Sequence, residues 1–335
     1  MESRRSIGEP VAVVGIGCRF AGGIGSPAEF WEFLSSGGSA VRALSEGRWS
    51  GQGEVLGSFL DDIAGFDAEL FGIPPREARL IDPQHRLALE VSWEALEHAG
   101  ISPTSLRGRD TGVFVGIGAD DYGRRTLSDL ARIEPWTGIG ASMCGAANRI
   151  SHSLDLRGPS VAVDTACSSS LVAVHQAIQS LWLGETDLAL AGGVLLVAAP
   201  GLGAVLDAAG ATSPDGRSKP FAVEADGYGR GEGCAFVVLK LLRDAVAAGD
   251  RVLAVLRGGA VCQDGRTEGI MAPSASAQVH LMRPSACGTS TAGCRTAARR
   301  CGRSARGPCT SSRATPRSSR RSRWCATRSC AVTPS

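Results

Sequence analysis

The sequence predicts an α/β fold with a largely buried sheet over residues 1–283 and an irregular or disordered tail over 284–335. Three observations point there. Short apolar runs of strand length alternate with stretches of helical period, the pattern of α/β architecture. The runs are apolar enough for a sheet covered on both faces. Composition then breaks near Met282-Arg283: the last 52 residues hold 11 of the 35 basic residues and six of the 11 cysteines, with no Asp or Glu.

The elements follow in order. Val11-Ala-Val-Val14 runs into Gly15-Ile16-Gly17 as a buried strand, and Glu29 to Leu34 reads as a short helix. Asp82-Pro83 opens a longer helix, with Asp as N-cap, Pro at the first helical position and Gly100 at the far end. Leu87, Val91, Ala95 and Ala99 give it an apolar stripe. Thr111 to Gly116 and Val161 to Asp164 are strands, the second leading through small residues into a helix from Ser169 to Leu183. Leu188 to Ala191 and Val194 to Val197 continue the series, and Cys234 to Leu239 and Val252 to Leu256 end it. Two segments, Thr212 to Pro220 and Glu224 to Gly233, are too long and polar for simple connectors.

Several classes are excluded. The first 283 residues carry 24 basic against 33 acidic side chains, a net of −9, which argues against nucleic acid as a partner. Leu188 to Leu206 is uncharged over 19 residues, but Pro200 and four glycines break it, so a buried strand plus a turn is expected rather than a membrane span. The apolar run near the N-terminus is seven residues long and broken by glycines, a poor signal-peptide core. Five spaced cysteines without such a signal place the chain in the reducing cytoplasm. Gly15-Ile16-Gly17 fails as a dinucleotide loop, because Phe20 stands where the third glycine belongs.

Asp164-Thr165-Ala166-Cys167-Ser168-Ser169-Ser170 lies where a buried strand gives way to a helix. Small neighbours permit a tight turn and close approach of a substrate. The free N–H groups and dipole of a helix N-terminus favour a thiolate there, and can stabilise the oxyanion of an attacked thioester. Cys167 is thus a candidate nucleophile; a small buried core cysteine is the competing reading.

The same segment resembles the active-site segment of β-ketoacyl synthases, specifically the ketosynthase domains of type I polyketide synthases. Glu9 to Phe20, Phe66-Asp67 through Ile73, Asp82-Pro-Gln-His-Arg86, Trp93 to Glu97, Ser213 to Phe221 and Ala225 to Gly233 match the family's other motifs in order. The resemblance implies a thiolase-like fold, layered α/β/α/β/α, with this chain carrying the N-terminal half. It implies a 3-oxoacyl-[acyl-carrier-protein] synthase, an acyltransferase of polyketide or fatty-acid biosynthesis working by decarboxylative Claisen condensation through an acyl-cysteine thioester. Carried over residue by residue, Cys167 is the acyl acceptor, and the segment near Phe221 resembles a wall of the acyl pocket. No cofactor or metal is implied, since substrates ride on the phosphopantetheine of an acyl carrier protein, the expected partner. The family dimerises through its N-terminal half, so a homodimer is expected, with neither nucleic acid nor membrane.

Cys262 and Leu195 stand where the family has Asn, an expected tuning rather than loss of acylation. The two histidine motifs expected downstream of Ala277-Gln278 are absent, and the chain's five histidines (His85, His98, His152, His175, His280) belong to neither. His175 lies eight residues along a helix from Cys167, about 12 Å of rise, too far to share a substrate atom. The expectation is a truncated, impaired ketosynthase; the alternative is a non-catalytic remnant or scaffold that binds a ketosynthase partner. The tail fits neither a zinc module, lacking Cys-x-x-Cys, nor an ordinary basic arm, with its six cysteines and no Lys. Arg outnumbers Lys 33 to 2 over the chain, and a frameshift in GC-rich coding DNA explains the tail best.

Overall fold

The computed structural model describes residues 8–45, 48–49 and 54–282; the tail expected from residue 284 lies outside them. Strand β1 (Val11–Phe20) is followed by helix α1 (Pro27–Ser35) and two short strands, β2 (Arg42–Ala43) and β3 (Leu56–Ser58). Then come α2 (Pro75–Ala78), α3 (Pro83–His98), β4 (Thr111–Gly116), α4 (Asp121–Ser128), α5 (Thr137–Ala141), α6 (Gly145–Leu154) and β5 (Ser160–Val163). Helix α7 (Ser169–Leu183) leads to β6 (Leu188–Leu195), α8 (Gly201–Ala208), β7 (Arg230–Gly231) and β8 (Gly233–Leu241). The series closes with α9 (Leu242–Ala248), β9 (Ala254–Leu256) and α10 (Ala275–Leu281).

Six strands form one mixed sheet in the order β5-β4-β6-β8-β1-β9. β5, β4 and β6 are mutually parallel, while β8, β1 and β9 pair antiparallel. Side chains alternate between two cores, as the strand period requires. Ala12 and Val14, Val113 and Val115, and Leu188 and Leu190 face α3 and α6. Val11 and Val13, Phe114, and Ala189 and Ala191 face α7. A small sheet, β2-β3-β7, flanks the main one.

Helix α3 begins as its sequence signals: Asp82 accepts a hydrogen bond from Gln84 N at 2.8 Å, and Pro83 occupies the first turn. Its stripe lies directly on β1. A Cβ at Gly15 would sit 2.3 Å from Ala95 O, and one at Gly17 would sit 2.4 Å from Val91 O. The two glycines therefore let helix and strand backbones touch; they are packing positions within a strand.

The sequence reading splits residues 188–197 into two runs, whereas the structure has one strand, Leu188–Leu195. A Cβ at Gly192 would lie 2.1 Å from Ala235 O, and one at Gly193 2.7 Å from Ser170 Cβ. These glycines remain in the ladder because neighbouring elements press on it. Past β6, Pro200 caps α8, so the expected turn is a short helix. The last strand is shorter than expected and starts at Ala254.

His85 is 1% exposed, and neither ring nitrogen has a hydrogen-bond partner. Burial, helped by nearby Arg149, pulls its pKa from 6.5 to about 3. Because the folded pKa lies below the unfolded one, protons bind preferentially to the unfolded chain, and this group removes stability as pH falls from 6.5 toward 3. The slope is about 1.4 kcal/mol per pH unit at most.

Two outcomes follow from this packing. Gly17→Ala lowers the unfolding free energy in urea by about 1–3 kcal/mol, through forced separation of β1 and α3. His85→Leu loses less stability between neutral and acid pH than the natural chain; equal acid sensitivity in paired urea titrations would show that His85 does not drive it.

Candidate active site

The carboxyl ends of the parallel strands β4, β5 and β6 lie at one end of the sheet, where open α/β sheets present ligand sites. There β5 ends at Val163, and after five intervening residues α7 begins at Ser169. The helix starts hard against the sheet: a Cβ on Gly116 of β4 would lie 2.4 Å from Ser170 N. Cys167 sits in this turn, exposed and unpaired, so the core-cysteine reading does not hold. Ala166 before it takes φ +52°, a left-handed conformation costly for an L-residue.

Side chains of the turn hold that conformation. The Asp164 carboxylate accepts from Ala166 N at 2.9 Å. The Ser169 hydroxyl accepts from Thr165 N at 2.8 Å and donates to Ala166 O at 2.7 Å. The Ser168 hydroxyl donates to Thr165 O at 2.8 Å. The sequence reading assigned chemistry to Cys167 alone; the run of hydroxyl residues after it was the available signal for these supports.

Two buried polar side chains tie distant loops to the same end. Gln84 donates to Ala119 O, just beyond β4, at 2.8 Å, and accepts from Leu196 N, just beyond β6. Glu232 accepts from Leu60 N at 3.0 Å and Val197 N at 2.8 Å, and pairs with Arg48. In the polar segment before it, Lys219 bridges Asp215 and Asp226, and the Ser213 hydroxyl and Lys219 hold the Asp215 carboxyl at about 2. Phe221 stands at φ +64° and is 81% exposed.

The histidines serve elsewhere. His98 Nδ1 accepts from Ile16 N at 3.0 Å. His175 is half-buried on α7 beside Gly259, where burial lowers its pKa, and His152 and His280 are exposed. Two cavities, of about 330 and 410 Å³, are lined by Arg19, Leu60 and Glu90 and by Phe71, Trp93 and Leu154 respectively; neither is lined by Cys167. Among the described residues no cluster of three or more His, Cys, Asp or Glu is placed to hold a metal. No helix of the described residues is long and apolar enough to cross a membrane.

Residues 8–245 match the family described as Beta-ketoacyl synthase, N-terminal domain. The chain belongs to the β-ketoacyl synthase family. A 6-methylsalicylic acid synthase of Arthrobotrys oligospora is 52% identical over 288 residues, covering 82% of this chain and 16% of the relative. A phenolphthiocerol/phthiocerol polyketide synthase of Mycobacterium bovis is 51% identical over 294 residues, covering 84% and 16%. The ketosynthase from module 6 of the bacillaene synthase of Bacillus subtilis 168 superposes with TM-score 0.75 at 39% identity, over 82% of this chain and 47% of that one. The oxazolomycin ketosynthase domain of Streptomyces albus JA3453 gives TM-score 0.75 at 36% identity, over 82% and 49%. The chain thus spans about half of these solved ketosynthases and a small part of the curated relatives.

The β-ketoacyl synthase fold here is thiolase-like, as the motifs implied. Of the two positions where Asn is usual in the family, Leu195 ends β6 opposite Gly233 and is 40% exposed, and Cys262 is half-buried in a loop. Neither lies in the Asp164–Ser170 turn.

The Glu232 side chain is fully buried and its Arg48 partner 11% exposed, so Glu232→Ala strands a guanidinium and two N–H groups. The expected loss is about 3–5 kcal/mol of unfolding free energy, read from urea titration. A loss near that of an ordinary surface change would remove Glu232 as the tie between these loops.

Proposed function

We propose that this chain is a ketosynthase domain, taken as residues 1–283, in which Cys167 accepts an acyl group from the phosphopantetheine thiol of an acyl carrier protein. The observation that carries the reading is an exposed cysteine in a strained strand-to-helix turn at the carboxyl ends of parallel strands. The Cys167 thiolate attacks the acyl thioester carbonyl, the carrier thiolate leaves and takes up a proton, and the acyl group remains as a Cys167 thioester. Backbone N–H groups at the head of α7 supply oxyanion stabilisation during attack. No metal or resident cofactor takes part in this step.

In the complete reaction a malonyl-type extender then loses CO2 and its carbanion equivalent attacks the Cys167 thioester. The family assigns that step to histidine motifs, and the chain's five histidines fall in neither. We therefore assign acyl loading to this chain and regard its condensation as impaired. Family resemblance supports a homodimer, and the five unpaired cysteines of the described region support the cytoplasm.

A second reading is a non-catalytic scaffold that binds a ketosynthase partner. It draws on Leu171 and Leu183, which stand 58% and 67% exposed on α7. Incubation with an acyl N-acetylcysteamine thioester, followed by peptide mass mapping, separates the two. Acyl loading places the label on Cys167 and loses it in Cys167→Ala. An unlabelled Cys167, or equal labelling of that variant, favours the scaffold. Carbon–carbon bond formation from a malonyl carrier protein by this chain alone would overturn the assigned impairment.

A further inference from the structure

We propose that Ser169 is a positioning residue for Cys167: its buried hydroxyl sets the peptide plane from which the reactive thiol hangs. The inference rests on the reading of Cys167 as acyl acceptor.

Ser169 Oγ accepts from Thr165 N at 2.8 Å and donates to Ala166 O at 2.7 Å. The second bond acts beside the Ser169 N–H, which donates to the same Ala166 O at 3.1 Å, so hydroxyl and backbone of one residue hold that carbonyl. The Ala166 carbonyl and the Cys167 N–H belong to one planar trans peptide, so fixing one fixes the other, pointing the opposite way. Ser169 thereby determines the direction of the Cys167 N–H and the start of its Cα–Cβ vector.

The conformation so held is one an L-residue leaves readily, since Ala166 stands at φ +52°. Three side chains restrain the turn, but they differ in what they hold and in what water can replace. Asp164 holds Ala166 N and is exposed, so solvent competes for that bond. Ser168 is bonded to Thr165, at its carbonyl and its hydroxyl, and leaves Ala166 untouched. Ser169 is 6% exposed and its hydroxyl alone among the three spans both sides of Ala166; without it Ala166 O keeps the Ser169 N–H at 3.1 Å, while the half-buried Thr165 N loses its partner.

Ser169 is itself immobile. A Cβ at Gly116 would lie 2.5 Å from Ser169 C, so the first turn of α7 rests on the backbone of β4. Position passes from strand to helix, from helix to hydroxyl, and from hydroxyl to the peptide that carries the thiol.

The test is site-resolved alkylation of the full chain by iodoacetamide, followed by peptide mass spectrometry across the pH range of thiol ionisation. Cys18 and Cys234, 2% and 1% exposed, report in the same sample whether the fold is intact. Ser169→Ala is expected to slow Cys167 alkylation about fivefold, the equivalent of one hydrogen bond, with Cys18 and Cys234 still protected. In an Ala166→Gly background, where φ +52° costs nothing, the same Ser169→Ala change is expected to cost less than about twofold.

A Cys167 rate within about twofold of the natural chain in Ser169→Ala would overturn the proposal. So would an equal effect in both backgrounds, which marks a general structural role. If Ser169→Ala alone exposes Cys18 and Cys234, the Ala166→Gly background decides: their exposure there too reduces Ser169 to a fold residue. Failure of acyl loading at Cys167 in the natural chain refutes the functional reading and leaves these rates to judge Ser169 by themselves.

Discussion

The reactive turn depends on how closely the first turn of α7 approaches the sheet. Gly116 and Gly193, on neighbouring strands β4 and β6, leave no room for a Cβ beneath Ser169 and Ser170. The helix therefore begins directly over the strand ends, and residues 164–168 must reverse the chain within that short span. Left-handed Ala166 follows from the constraint. Its cost is about 1–2 kcal/mol. Hydrogen bonds from Ser169 and to Asp164, each worth about 1 kcal/mol, are of the size needed to offset it. Strain and support are matched at the one residue preceding the thiol.

The surrounding loops face a different problem. Chain leaving β4 and β6 carries backbone groups that no ladder satisfies, and those groups are buried where the loops converge. Gln84 and Glu232 answer for them, meeting Ala119 O and Leu196 N in one case, and Leu60 N and Val197 N in the other. Burying the Glu232 carboxylate is expensive in isolation, and the Arg48 guanidinium with two N–H donors makes it tolerable. The geometry around Cys167 is thus held from beneath by glycine contacts and from the sides by two polar posts.

Much of this was legible locally. The bounds of α7, Ser169 to Leu183, and the Asp82 cap of α3 came from residue patterns within a few positions. Cys167 stood out because small residues, a strand and a helix met at one point. Less legible was anything whose cause lies far along the chain. Glu232 meets Leu60 across 172 residues and Gln84 meets Leu196 across 112, so no window of sequence contains either pair. Gly192 and Gly193 read as a break because their reason for being glycine belongs to Ala235 and Ser170. Local period sees a missing side chain, whereas only the fold shows the neighbour that forbids one.

Helix α7 also differs from α3 in what it shows to its surroundings. Helix α3, in an outer layer, shows Arg86, Glu90, Glu94 and Glu97 among its sixteen residues, while the fifteen residues of α7 include no charge. Its sheet-facing side buries Val172, Ala173, Ala177, Ile178 and Leu181. Leu171, His175, Gln179 and Leu183 follow at four-residue spacing on another side, with both leucines exposed. A helix without charge on any side is written for burial all round. The exposed leucines thus stand on a helix that carries no charge on any side, and the same helix, seated on the sheet, gives Cys167 a rigid foundation.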